Sequence, residues 1–211
     1  MAEKLLVLLA LFALARPALG AKIVASVTDD AGQPVEDAVV FVYGEADGPF
    51  KGREMPYEMD QVDKTFVPHV LPILVGSKVR FPNLDNIHHH LYSFSSPMTF
   101  ELPLYKGEPT APLVFSRPGV VKLACNIHDW MMGIILVLPN PYFARTGPDG
   151  QANLSVPDLP QVELAVFHER LKGPVEATRR SVKGEKGLLR AEWRLALKPL
   201  KVKKRPAIKY P

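Results

Sequence analysis

Proline restricts the fold of this chain more than any other residue type, because 21 of its 211 residues are proline. A proline inside a helix or a central strand removes a hydrogen-bond donor, so frequent prolines favour short elements joined by turns. No segment has a convincing helical pattern over three turns, whereas short stretches of alternating apolar and polar residues recur along the chain. The sequence therefore predicts an all-β fold.

The strand pattern begins with residues 22–43, which resemble a hairpin-like pair of strands around the turn at 29–32. Residues 44–58 are typical of a loop, and residues 95–118, with five prolines, are predicted to be irregular. Further strands are predicted at Val70–Val75, Lys78–Phe81, Leu91–Phe94, Gly119–Cys125, 133–138, Leu154–Val156, Val162–His168, Val175–Val182 and Leu188–Ala196.

The first twenty residues have the order of a secretory signal peptide. Lys4 precedes an apolar run from Leu5 to Ala15, and small residues follow up to Gly20. We expect cleavage near Gly20 and a periplasmic or otherwise exported mature protein. Because a lone thiol is a liability in an oxidising compartment, we expect the single cysteine, Cys125, to have a chemical role.

Charge is distributed unevenly along the chain. Residues 21–171 carry 11 basic and 18 acidic side chains, whereas residues 172–211 carry 13 basic and 3 acidic ones. A basic terminal segment can attract an acidic partner or an anionic membrane surface. We expect residues 199–211 to form a mobile basic tail with such a partner, and we expect no nucleic acid partner.

Soft and imidazole ligands are concentrated around the only cysteine. The segment CNIHDWMM begins at Cys125 and contains His128, Met131 and Met132, while His88, His89 and His90 are consecutive. Sulfur combined with imidazole favours copper, and two histidines with one cysteine and a weak axial methionine form the ligand set of blue copper. Zinc is the rival metal because it also binds cysteine and histidine, but thioether is a poor zinc ligand.

Residues 60–138 resemble the cupredoxin family, in particular plastocyanin-like proteins associated with methylamine utilisation. The resemblance rests on FVPHVLPILVGSKVRFPNLDNIHHHLYSF and on the Cys-x-x-His…Met loop in GVVKLACNIHDWMMG. It implies a Greek-key β-sandwich with one mononuclear type 1 copper ion. The implied copper ligands are His89, Cys125, His128 and a methionine.

Alternatives remain open for two of these ligands. Strand alternation places His89 and Leu91 on one face and His90 on the other, which favours His89, with His88 and His90 as alternates. Met131 is favoured as the axial ligand, with Met132 as the alternate. Asp129, Trp130 and Asn83 are predicted to surround the ligands, and Asp129 is a candidate to orient His128.

The two ends of the chain resemble halves of a carboxypeptidase-regulatory-like (transthyretin-like) β-sandwich. The similar segments are VASVTDDAGQPVEDAVVFVY and ARTGPDGQANLSVPDLPQVELAVFHE. This resemblance implies a second small sandwich, built from residues 21–45 and 141–198, into which a cupredoxin domain of residues 54–139 is inserted or to which it is joined.

Three functions follow from these patterns. We expect an exported blue-copper electron carrier that is not an enzyme and that docks to a redox partner of unknown identity. The alternatives are a copper-binding or delivery protein that does not cycle electrons, and a structural or carbohydrate-binding-like β module.

Overall fold

The computed structural model describes residues 20–44, 50–108, 111–157, 161–183 and 187–200. In these ranges the regular structure consists of strands and one short 3-10 helix, so the all-β prediction is confirmed. None of the described residues belongs to a helix with the length and hydropathy needed to span a bilayer. Residues 1–19 of the predicted signal peptide lie outside the described residues, as do residues 201–211 of the predicted tail.

In chain order the strands are β1 (Ala21–Asp29), β2 (Val39–Val42), β3 (Tyr57–Glu58), β4 (Asp60–Val62), β5 (Thr65–Val67), β6 (Val70–Leu74), β7 (Ser77–Arg80), β8 (His89–Ser95), β9 (Met98–Tyr105), β10 (Leu113–Phe115), β11 (Gly119–Cys125), β12 (Met132–Leu138), β13 (Phe143–Arg145), β14 (Gln151–Val156), β15 (Gln161–Phe167), β16 (Arg180–Lys183) and β17 (Leu188–Leu195). The 3-10 helix, Val175–Thr178, lies between β15 and β16.

Strands β1, β2 and β13–β17 form two facing sheets, which we call the outer sandwich. One sheet has the order β14-β1-β17 and the other has the order β13-β2-β15-β16. Alternate residues of β1 and β17 are buried, as their alternating sequences predict, and they pack against β15 in one apolar core. In β17 the buried residues are Leu189, Ala191, Trp193 and Leu195, as expected for a strand with one solvent face.

Strands β3–β12 form the inner unit. A five-stranded sheet of order β6-β12-β11-β8-β9 faces a three-stranded sheet of order β10-β7-β3, and β4 and β5 form a separate hairpin. Apolar side chains from both sheets and from the hairpin make one core, which includes Cys125 and Met131. The hairpin lies close to β12, because a Cβ atom on Gly133 would be only 2.9 Å from the Cβ of Phe66.

A third core joins the outer sandwich to the inner unit. On β12, Ile135 and Val137 face the inner core, whereas Ile134, Leu136 and Leu138 pack against residues of β2 and β15. A strand that is buried on both faces has no polar side and appears in the sequence as a continuous apolar run. This burial accounts for the sequence GIILVL at residues 133–138.

Several predictions about individual elements are wrong. β1 and β2 do not form a hairpin, since they lie in opposite sheets of the outer sandwich. The predicted irregular segment 95–118 contains β9 and β10, and the predicted loop 44–58 contains β3. The predicted strand Val175–Val182 is a 3-10 helix followed by β16. The Ala177 N–H donates to the Pro174 carbonyl at 3.2 Å, and the Thr178 hydroxyl donates to the Val175 carbonyl at 2.7 Å.

The inner unit lies between two hydrogen-bonded neighbours of the outer sandwich. β2 and β13 are adjacent antiparallel strands, and β3–β12 lie between them in sequence. The topology therefore has the inserted form that the fold prediction included. The residue boundaries predicted for the two domains stay predictions.

Candidate metal centre

The pairing of β8 with β11 brings two distant parts of the sequence together. Cys125 is the last residue of β11 and is paired with Leu91 of β8, two residues after His89. The chain then turns tightly, because the Met131 N–H donates to the His128 carbonyl at 2.9 Å and the Cys125 N–H donates to the Met131 carbonyl at 3.2 Å. This turn folds His128 and Met131 back toward the end of β11.

Three ligand-type side chains converge at this point. The Nδ1 atoms of His89 and His128 lie 3.9 Å and 3.7 Å from the Cys125 Sγ, and the candidate ligand atoms are all within 4.8 Å of one another. A sulfur and a nitrogen bound to one metal ion at about 2.3 and 2.0 Å lie roughly 3.5–4 Å apart. The cluster is therefore positioned to bind one metal ion.

Burial of the cluster is graded from the core to the surface. The side chain of His89 is fully buried, and Cys125 and Met131 are 3% and 1% exposed. His128 is only partly buried, and its ring lies 5.0 Å from the His89 ring and 5.4 Å from the Trp130 ring. The His89 imidazole is thus held in the core, whereas the His128 imidazole lies near solvent.

Asp85 holds the buried histidine from the side opposite the cysteine. The His89 Nε2–H donates to the Asp85 Oδ2 at 2.7 Å. A carboxylate only accepts hydrogen bonds, so the proton of a neutral His89 ring lies on Nε2 and the Nδ1 lone pair faces Cys125. The imidazole is therefore oriented for Nδ1 to act as a metal ligand.

The site environment shifts the pKa values of two groups in the same direction. Burial lowers the pKa of His128, and the neighbouring His89 and Lys64 lower it further. Burial alone would raise the pKa of Asp85, but hydrogen bonds from the Lys64 N–H, the His89 ring and the Asp63 N–H hold it below its ordinary value. The lowered pKa of His128 favours the neutral imidazole that metal binding requires, and the lowered pKa of Asp85 favours an ionised acceptor for the His89 N–H.

The alternate ligands lie outside this cluster. His88 is exposed. His90 points to the other face of the sheet, where its Nε2 atom lies 2.8 Å from the Oε1 of Glu101 on β9. Met132 is 45% exposed, in contrast to the buried Met131. The remaining histidines, His69 and His168, lie at the junction with the outer sandwich.

The residues predicted to surround the ligands occupy different positions. The Asn83 side chain bridges the loop before β8, donating to the carbonyls of Ile87 and Tyr105 at 2.8 and 2.9 Å. Trp130 contacts the His128 ring. Asp129 is exposed, and its hydrogen bond to His128 stays a prediction.

Sequence reasoning missed the role of Asp85 and of the β4–β5 turn. The Asn-x-Asp pattern at residues 83–85 was part of the family resemblance, but nothing in its spacing links the carboxylate to His89. The sequence indicated this role only by the position of Asp85, four residues before the candidate ligand His89.

Comparison with known proteins gives similarity over part of the chain. No family model matches, and no curated protein matches. A purple cupredoxin from Nitrosopumilus maritimus is 23% identical, with a TM-score of 0.35, and the match covers 39% of this chain and 99% of that one. An amicyanin variant in its Cu(I) form is 20% identical, with a TM-score of 0.37, and the match covers 47% of this chain and 98% of that one.

A larger copper protein is also similar. A Cu-containing nitrite reductase from Thermus scotoductus SA-01 is 29% identical, with a TM-score of 0.38. The match covers 55% of this chain but only 28% of the reductase.

Proposed function

We propose that this chain is a type 1 copper protein that carries electrons. The ligands in this proposal are His89, Cys125 and His128, with Met131 in the axial position. The observation that carries it is the convergence of two imidazole Nδ1 atoms on one buried thiol, at 3.9 and 3.7 Å. Met131 supports the proposal because its thioether belongs to the same buried core.

The ligand set favours copper over zinc for a chemical reason. One soft thiolate, two imidazoles and a thioether match the preferences of copper, whereas the thioether adds little to a zinc site. Bound copper would supply one-electron oxidation and reduction. The chain would hold the ligands fixed between the two states, because His89, Cys125 and Met131 are immobilised in the core.

The exposed side of the cluster supports electron transfer rather than catalysis. Four ligand side chains leave little room on the metal for a substrate, so we propose that the protein is not an enzyme. His128 is the ligand nearest solvent. Exposed apolar residues lie in the loop before β8 and between β11 and the start of β12, namely Leu84, Ile87, Ile127 and Met132. Such a surface suits brief contact with a redox partner.

Export and docking complete the proposal. The apolar leader of residues 1–20 supports export to an oxidising compartment such as the periplasm, and N-terminal sequencing of the mature protein would test cleavage near Gly20. We also propose that the outer sandwich is a carboxypeptidase-regulatory-like module that docks the copper domain. Its support is the sequence pattern of the flanking segments and the pairing of β2 with β13.

The basic end of the chain is proposed to steer association. The excess of Lys and Arg after residue 171 would attract an acidic partner or an anionic membrane surface over distances limited by a Debye length of about 8 Å at physiological salt. Deleting residues 200–211 should leave thermal stability unchanged and should weaken binding to anionic vesicles at low salt. A large loss of stability would contradict the steering role.

The decisive experiment is the visible spectrum of the purified protein after addition of Cu(II). An intense thiolate-to-copper charge-transfer band, with one copper per chain by elemental analysis, is the expected result. Cys125→Ser should abolish the band, because a hydroxyl cannot replace the soft anionic ligand. Glu101→Gln is the matched control and should retain the band, because Glu101 lies on β9 and contacts His90 on the other face of the sheet.

Two other outcomes would redirect the assignment. A colourless protein that binds one copper through His128 would favour copper delivery without electron cycling. Binding that is insensitive to both Cys125→Ser and His128→Ala would contradict the copper site and would leave a structural or carbohydrate-binding-like module.

A further inference from the structure

The Asp85 carboxylate is held by more donors than His89 alone. Its Oδ1 accepts the N–H of Asp63 at 2.7 Å, and its Oδ2 accepts the N–H of Lys64 at 2.9 Å as well as the His89 Nε2–H. Three N–H donors on one carboxylate stabilise its negative charge. The backbone of the β4–β5 hairpin therefore fixes the Asp85 carboxylate, which in turn fixes the His89 ring.

The turn that supplies two of these donors has an uncommon backbone. Asp63 and Lys64 connect β4 to β5, and both have positive φ angles, 50° and 58°. Glycine, asparagine and aspartate are the usual residues at such positions, because most other side chains crowd the backbone, so Lys64 is the uncommon one here. The conformation directs two successive N–H groups to the same side of the turn, where they meet Asp85.

The loop that carries Asp85 is held independently of the turn. The Asp85 N–H donates to the Asn83 Oδ1 at 3.1 Å. The Asn83 amide donates to the Ile87 carbonyl in the loop before β8 and to the Tyr105 carbonyl at the end of β9. The carboxylate is thus fixed from its own backbone as well as from its oxygen atoms. A side chain merely placed at the surface would not have this support.

We propose that Asp85 is the positioning residue of the metal centre, with the β4–β5 turn as its anchor. Through the Nε2–H bond it keeps the His89 Nδ1 unprotonated and directed at the metal. The negative charge of Asp85 would make the His89 Nδ1 a stronger electron-pair donor to a bound metal ion. It would also favour the more highly charged oxidation state of that ion, which lowers the reduction potential. This inference rests on the proposed function for its redox part, whereas the tautomer of His89 is a property of the metal-free chain.

The proposal separates two contributions that different variants remove. Asp85→Asn retains one oxygen acceptor, which can still face His89 and Lys64, but it removes the charge and the second oxygen, which accepts the Asp63 N–H. Asp85→Ala removes both, and loss of such a partner typically weakens metal binding by about 10–100-fold. Glu101→Gln is the matched control, because Glu101 makes a similar contact, 2.8 Å, with the neighbouring His90 on the opposite face.

The experiment combines nitrogen NMR of the metal-free protein with copper titration and potentiometry. In the natural chain and in Glu101→Gln, the His89 ring should carry its proton on Nε2. Asp85→Asn should keep this tautomer and raise the reduction potential, whereas Asp85→Ala should give mixed tautomers and weaker copper binding by about 10-fold or more. Lys64→Gly relieves the left-handed backbone, keeps both N–H donors and should leave the tautomer unchanged.

Specific results would overturn the positioning role. An unchanged His89 tautomer in a folded Asp85→Ala protein would do so, as would a reduction potential that is the same in Asp85→Asn and in the natural chain. If Asp85→Ala does not fold, the potential of Asp85→Asn still decides. Failure of the natural chain to bind copper would contradict the proposed function instead, while the NMR result would stand by itself.

Discussion

The two adjacent methionines of the candidate site differ mainly in burial. Met131 is 1% exposed and belongs to the core that contains Cys125, whereas Met132 is 45% exposed at the start of β12. Sequence alone left the two open as the axial ligand, because their separation from His128 differs by one residue. The structure places Met131 in the tight turn closed by its own N–H, and its role as the axial ligand stays a prediction.

The first prediction compares these residues. Met131→Leu should keep the fold, since the side chains are similar in volume and such exchanges usually cost less than about 1.5 kcal/mol. It should change the reduction potential and the shape of the copper spectrum, because the thioether is lost from the axial position. Met132→Leu is the control and should leave both unchanged. Equal effects of the two substitutions would contradict the axial assignment of Met131.

At the scale of the elements, one hydrogen-bonded ion pair joins the β5–β6 connection to the segment after β15, and its strength depends on pH. The His69 Nε2–H donates to the Glu169 Oε2 at 3.0 Å. This hydrogen bond raises the pKa of His69 against the opposing effect of burial, and it lowers the pKa of Glu169. Stability from the histidine is lost as pH rises through its raised pKa, and stability from the glutamate is lost as pH falls through its lowered pKa.

The second prediction follows from these directions. The pair should contribute fully between about pH 4.5 and 6.5, the ordinary values of the two groups. Glu169→Gln should lower the melting temperature at pH 5.5 by about 1–2 °C, since both side chains are over one third exposed and such pairs contribute little. The effect should shrink by pH 8.5. Glu163→Gln, which removes the Arg179 ion pair, should show no such change between these pH values.

The accuracy of the sequence predictions varied with the number of buried faces. β1, β11 and β17 were predicted because alternation reveals a strand with one apolar face. β9 was missed because Pro103 argues against a strand, yet β9 lies at the sheet edge, where a missing N–H is tolerated. The β1–β2 hairpin was wrong because local pattern does not distinguish a turn within a sheet from a crossing between sheets.

The candidate site was predicted to a similar extent. Cys125, His128 and His89 were identified from residue type, spacing and strand alternation, and the structure brings them together. The support of His89 by Asp85 was not, because the hydrogen bond depends on a loop conformation and on the β4–β5 turn. Contacts between side chains on separate loops have no periodic signal in one sequence.

At the scale of the whole molecule, the junction core makes the two parts interdependent. Leu136 of β12 is buried against the outer sandwich, while its neighbour Ile135 is buried in the inner core. Phe167 of β15 lies in the same junction core. Loss of packing at this junction should therefore reach both parts of the chain.

The third prediction measures this coupling. Leu136→Ala should lower the free energy of unfolding by about 2–4 kcal/mol, because it leaves a cavity between packed sheets. In a Trp130→Phe background, Trp193 fluorescence should report the outer sandwich, and hydrogen exchange of the β11 amides should report the inner unit. Both should lose stability together. The control, Leu188→Ala, removes a side chain that is 45% exposed and should have little effect. Destabilisation of only one part would contradict the coupling.

The two chain crossings between the outer sandwich and the inner unit lie side by side, which has a consequence for domain insertion and deletion. The Val42 N–H donates to the Tyr142 carbonyl at 2.9 Å, and the Asn140 amide donates to the carbonyls of Val42 and Gly44. The points where the chain leaves and rejoins the outer sandwich are therefore already neighbours, as in a hairpin. A short turn could replace the entire segment from β3 to β12, and a different domain with closely spaced termini could be inserted at the same position. An inserted domain would need an apolar surface facing the outer sandwich. Without it Phe41, Ala165 and Phe167 would form an exposed apolar patch that favours aggregation.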